Sequence, residues 1–76
     1  MIPFVKIVVP FVKMQAVGND FVVADRADAG DESGLAALAR ALCDRRFGVG
    51  ADGLLLRGDD PDADLGMRIF NADGSE

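Results

Sequence analysis

One amphipathic helix signal, set between two stretches of strand-like sequence, constrains this chain more than any other feature. Leu35, Leu38, Ala39, Leu42 and Cys43 fall at the i, i+3, i+4, i+7, i+8 spacing that lays a single apolar stripe along a helix. The spacing predicts a helix over about 34–46. Asp31, Glu32 and Ser33 precede it, where exposed backbone N–H groups favour acceptors and negative charge. Arg45 and Arg46 complement the negative end of the helix dipole, and Gly48 suits a left-handed cap. On either side the pattern changes. Residues 11–17 and 21–25 are rich in Val and Phe, and Gly18-Asn19-Asp20 between them is turn chemistry, so two consecutive strands are expected. Residues 27–34 read as a polar loop. Beyond the helix, Leu54-Leu55-Leu56 reads as a buried strand, 58–64 as an acidic loop containing Pro61, and 65–70 as a further strand. The order β-β-α-β-β predicts a mixed α/β (α+β) chain and not a simple run of parallel βαβ units.

Seventy-six residues suffice for one small domain, which buries only about 60% of the surface its unfolded chain exposes. Half the residues are hydrophobic and 28% are charged, a balance that excludes intrinsic disorder. A net charge of −5 offers no general attraction to phosphate backbones or anionic lipid heads, which argues against nucleic acid and membrane partners. Cys43 is the only cysteine and cannot form an internal disulfide, which suits a reducing, cytoplasmic setting. The first seventeen residues are apolar, but Lys6, Lys13, Pro3 and Pro10 break the run before it reaches the roughly 18 residues of a spanning helix. Pro-Phe-Val-Lys occurs at 3–6 and again at 10–13, so residues 1–10 are expected to be a redundant apolar leader of strand character ahead of a domain at 11–76. Whether Met1 or Met14 is the natural start is left open.

Several motifs carry chemistry on paper. Gly48-Val49-Gly50-Ala51-Asp52-Gly53 fits G-x-G-x-x-G, yet a dinucleotide site needs a strand before and a helix after it, and here the order is reversed. A helix-to-strand turn is the expectation. Asp60, Asp62 and Asp64 alternate like calcium ligands, but Leu65 stands where the loop needs Gly and Asn71 where it needs Glu. No metal site is expected. Cys43 lies on the apolar stripe and the chain has no His, so an inert buried thiol is favoured over a nucleophile. Gly18-Asn19-Asp20 and Asn71-Ala72-Asp73-Gly74-Ser75 are explained by turn chemistry alone. Alternatively, Asn19 and Asn71 offer both a donor and an acceptor to a zwitterionic small molecule.

Four ordered segments carry a resemblance: 11–23 (Phe-Val-Lys-Met-Gln-Ala-Val-Gly-Asn-Asp-Phe-Val-Val), 42–53 (Leu-Cys-Asp-Arg-Arg-Phe-Gly-Val-Gly-Ala-Asp-Gly), 67–70 (Met-Arg-Ile-Phe) and 71–76 (Asn-Ala-Asp-Gly-Ser-Glu). Together they resemble the amino-terminal part of diaminopimelate epimerase. The resemblance implies part of the first of two similar α/β domains, each a curved sheet wrapped around a central helix, with the active site in the cleft between them. It implies an isomerase of lysine and cell-wall precursor synthesis that interconverts LL- and meso-diaminopimelate without pyridoxal phosphate or other cofactor. In such enzymes one cysteine thiolate removes the Cα proton and a second cysteine thiol reprotonates the opposite face. Asn19 and Asn71 match the family's substrate-contacting asparagines, Gly53 occupies a place where some members carry a substrate-touching glutamine, and Cys43 matches a non-catalytic position. The family's first catalytic Cys-Gly-Asn-Gly motif follows the segment matching Asn71–Glu76, so the resemblance implies that these residues include no catalytic cysteine and act on no substrate alone. A homodimer is the implied assembly of full-length members. A same-fold isomerase of the phenazine-biosynthesis type and a non-catalytic binding or assembly module are the alternatives. Apolar strands at 54–56 and 65–70 further predict that the isolated chain associates.

Overall fold

A computed structural model describes residues 9–60 and 63–76. The chain builds strand β1 (Phe11–Ala16), strand β2 (Asn19–Asp25), helix α1 (Leu35–Cys43), strand β3 (Gly53–Asp60) and strand β4 (Ala63–Asn71). The four strands form one sheet in the order β1-β2-β3-β4. β1 and β2 pair antiparallel, β2 and β3 pair parallel, and β3 and β4 pair antiparallel. The mixed α/β architecture thus has one parallel pair at its centre, which requires the crossover that α1 supplies.

The helix covers one face of that sheet. Leu35, Ala39 and Cys43 of its stripe pack with Val22 and Ala24 of β2, Ala51, Leu54 and Leu56 around β3, and Phe70 of β4. Alternation along each strand sends these residues to one side. Fully burying a side chain such as Leu54, which has no exposed surface, contributes on the order of 1.5–3 kcal/mol. The opposite face carries Val12 and Met14 of β1, Phe21 and Val23 of β2, Leu55 of β3, and Met67 and Ile69 of β4, as the registers require. Val12, Met14, Met67 and Ile69 there are exposed.

Local structure departs from the sequence expectations at four places. The first turn is Val17-Gly18, not Gly18-Asn19-Asp20, with φ of 50° and 83°, so the hairpin closes through two left-handed residues. Positive φ at both central positions is the geometry whose twist matches the flanking strands. Asn19 and Asp20 consequently belong to β2. Second, α1 ends at Cys43 and not at Arg46, because the Asp44 carboxylate accepts the backbone N–H groups of Arg46 (2.8 Å) and Phe47 (2.9 Å) and starts a separate turn. Those bonds hold the Asp44 carboxyl below its usual range, Phe47 contributing most. Gly48 is not the left-handed residue; Gly50 is, with φ 83°, while a Cβ on Gly48 would overlap the carbonyl oxygen of Ala41. Third, two short 3-10 turns, Arg26–Asp28 and Glu32–Gly34, occupy much of the expected loop at 27–34, Asp31 makes no side-chain cap to the turn after it, and Gly34 stands at the N-cap of α1. Fourth, the acidic stretch at 58–64 is mostly strand, since β3 runs to Asp60 and β4 begins at Ala63. Backbone pairing between the two strands, with an irregularity between Gly58 and Asp60, overrides the weak strand propensity of Asp and Gly. Residues 61–62, and with them part of the calcium-like pattern, lie outside the described residues, as does the leader over 1–8; Val9 packs against the core.

Candidate functional site

The beginnings of β2 and β3 and the end of β4 lie together at one end of the sheet. Phe21, Gly53 and Asn71 form one cross-strand row, Phe21 opposite Gly53 and Gly53 opposite Asn71. Asn71 therefore lies about 10 Å from β2 across the sheet, and Asn19 stands two residues beyond the row on the same strand. Strand alternation puts Asn19, Phe21 and Asn71 on the open face, because Val22 and Phe70 point into the core. The topology thus brings the two sequence-predicted site residues, 52 positions apart in the chain, to one end of one face. The Phe21 ring lies between them against Gly53, its Cε1 3.1 Å from where a Cβ on Gly53 would sit. A larger residue at 53 would have to displace that ring.

Each asparagine is held by a different device. Asn19 follows the Val17-Gly18 turn directly, and Val17 is a fully exposed β-branched residue at φ 50°. Such a residue rarely adopts the left-handed region, and the conformation costs on the order of 1–3 kcal/mol. Beside it, the Asp52 carboxylate accepts the Asp20 N–H at 2.8 Å, and the Asp52 N–H returns a bond to the Asp20 carbonyl at 3.0 Å. Arg45 donates to Asp52 at 3.1 Å and approaches Asp20 at 3.6 Å, while Lys13 lies 3.7 Å from Asp20. The Asp20 N–H, helped by Arg45, holds the Asp52 carboxyl below its usual range. This reciprocal pair fixes the start of β2 against the loop leaving α1.

Asn71 opens a tight turn that it also closes. Its N–H donates to the Ser75 carbonyl at 2.6 Å, its carbonyl accepts the Gly74 N–H at 2.9 Å, and its side-chain amide donates to Ser75 Oγ at 2.9 Å. Ser75 in turn donates twice to Asp73, from its N–H at 2.8 Å and its hydroxyl at 2.6 Å, which lowers the Asp73 carboxyl below its usual range. Among the described residues the Asn19 side chain makes no hydrogen bond and Asn71 Oδ1 accepts none, so both retain capacity for a ligand.

The glycine-rich stretch 48–53 joins helix to strand, as its order predicts, and its amides are already used. Gly48 N–H donates to the Asp44 carbonyl, Val49 and Gly50 to Leu42, and Ala51 to Cys43. Cys43 is 3% exposed at the end of α1, and burial pushes its thiol up from the usual value. Among the described residues no group of three or more acidic, His or Cys side chains could hold a metal ion, and no helix is long and apolar enough to cross a membrane.

Two features escaped the sequence reading. The Asp20–Asp52 pair links residues 32 apart, and Arg68 joins Glu32 across 36 positions. Charged residues in the right motifs were visible, but their partners follow only from the parallel β2–β3 pairing and the return of β4.

The four-stranded mixed sheet with its single crossover helix defines an α/β fold. The family model for diaminopimelate epimerase matches residues 11–76. A diaminopimelate epimerase of Caldanaerobacter subterraneus subsp. tengcongensis is 54% identical over 66 residues, covering 87% of this chain and 23% of that protein. Those of Carboxydothermus hydrogenoformans (52% over 68 residues; 87% and 25%) and Rhizorhabdus wittichii (54% over 68 residues; 90% and 25%) are similar. This chain belongs to the diaminopimelate epimerase family, an isomerase family, and spans about a quarter of the length of the curated relatives it matches.

Proposed function

We propose that residues 11–76 form part of the amino-terminal domain of a diaminopimelate epimerase and supply one wall of its substrate site, Asn19 and Asn71 binding the zwitterionic amino-acid end of diaminopimelate. The placement of both asparagines at one end of the open face carries this reading. An α-amino acid presents both a carboxylate and an ammonium, and a side-chain amide can serve either. Substrate held there would undergo cofactor-independent proton exchange between LL- and meso-diaminopimelate in the cytoplasm, for lysine and cell-wall synthesis. Thiols of a homodimeric full-length enzyme would act as base and acid.

Cys43 is not one of those thiols in this reading. Removal of a Cα proton needs an accessible thiolate, and a thiol buried on the helix stripe with a raised pKa is a poor one. The 76-residue polypeptide alone is therefore expected to bind without turning over. Incubation with LL-diaminopimelate in D2O tests this: no deuterium should enter Cα above the protein-free control, whereas exchange abolished by Cys43→Ser would refute the assignment.

A further inference from the structure

We infer that Arg68 is a positioning residue for the substrate turn, clamping Glu76 so that the turn opened by Asn71 presents its amide toward the open face. The inference rests on the reading of Asn71 as a substrate ligand and assigns the device that holds it. Arg68 donates from Nε to Glu76 Oε2 at 2.7 Å and from Nη2 to Glu76 Oε1 at 2.7 Å, the two-pronged geometry that a guanidinium offers a carboxylate. Its third nitrogen, Nη1, donates to Glu32 Oε2 at 2.6 Å, and Glu32 also lies 3.5 Å from Arg26. The guanidinium sits 5.3 Å from the Phe70 ring centroid, which fixes its stem on the core edge. One side chain thus ties β4, the far end of the turn and the approach to α1.

The turn between these anchors has little freedom. Gly74, at φ 92°, lies so close to α1 that a Cβ there would meet Arg40 Nη1 at 2.6 Å and the Ala36 carbonyl oxygen at 2.9 Å. With Gly74 pressed on the helix and Glu76 gripped by Arg68, the Ser75 carbonyl and hydroxyl are held where the Asn71 N–H and side-chain amide reach them. A lysine at 68 would keep the charge and lose the fork.

The test compares wild type, Arg68→Lys and Glu76→Gln by NMR on the 76-residue chain. Glu76 lies outside the core, so its replacement leaves the fold intact even if Arg68→Lys does not. In Glu76→Gln, hydrogen exchange at the Asn71 N–H should quicken roughly five- to tenfold while Leu54 and Leu56 stay unchanged. Titration with meso-diaminopimelate should weaken, and to the same extent at Asn71 and at Asn19, because both report one binding event. Unaltered Asn71 exchange, or faster exchange at Asn71 and β3 together, would overturn the proposal. If the exchange result holds but wild type shows no response to diaminopimelate, the clamp stands and the substrate reading of Asn71 fails.

Discussion

The two faces of the sheet are built from similar residues and are in opposite states. On one, Val22, Leu54, Leu56 and Phe70 are sealed beneath α1; on the other, Val12, Met14, Met67 and Ile69 are exposed. Both faces have the apolar alternation of a sheet that buries its side chains, but only the first has a partner among the described residues. Hydrophobicity alone does not locate the core here. The helix does, through its stripe of Leu35, Leu38, Ala39, Leu42 and Cys43, and the candidate ligand residues lie at the rim of the uncovered face.

The largest effect should come from the covered face. Leu54→Ala is expected to remove about 2–5 kcal/mol, enough to unfold most of a small domain, as read by urea titration followed by circular dichroism. Full retention of the transition midpoint would mean that α1 does not seal this face.

Next is the polar pair at the rim. Asp52→Ala removes the acceptor of the Asp20 N–H and should lower the midpoint of the same titration by less than Leu54→Ala does. Asp44, Asp52, Asp73, Glu32 and Glu76 all have carboxyls held below their usual values, the last two chiefly by Arg68. A depressed folded value means that the unfolded chain takes up protons first. The stability these groups contribute is complete above about pH 5 and is lost as pH falls through the depressed values, below about pH 4. An acid unfolding curve without a fall in that window would contradict the pairing.

The smallest stability effect belongs to the open face. Ile69→Lys should change the unfolding free energy by no more than about 0.5 kcal/mol while shifting the chain toward monomer, because an exposed apolar face drives association. Sizing chromatography of the two proteins at equal concentration checks this, and a wild-type chain that is already monomeric would remove the contrast between the faces.

The elements legible from sequence were the α1 stripe, the Val- and Phe-rich β1 and β2, and the leucine run of β3. The boundaries that failed did so for local reasons. Val17 has poor turn propensity, so composition points to Gly18-Asn19-Asp20 for a turn that Val17 and Gly18 make. Nothing periodic marks the capture of the Arg46 and Phe47 amides by Asp44. Pairing of β3 with β4 extended strands into residues whose composition reads as loop. For the site, turn chemistry explains Asn19 and Asn71 as well as ligand binding does, and only the family resemblance singles them out; their shared face depends on register, and the Arg68–Glu76 and Asp20–Asp52 supports depend on topology.

The most direct test labels the whole chain with nitrogen-15 and titrates meso-diaminopimelate into it, following the asparagine side-chain amides and the backbone amides of α1. Shared ligation by Asn19 and Asn71 should move their side-chain amide signals together along one saturation curve, with Leu35 and Ala39 of α1 unaffected. Movement of neither amide, or shifts confined to the helix-covered face, would contradict it.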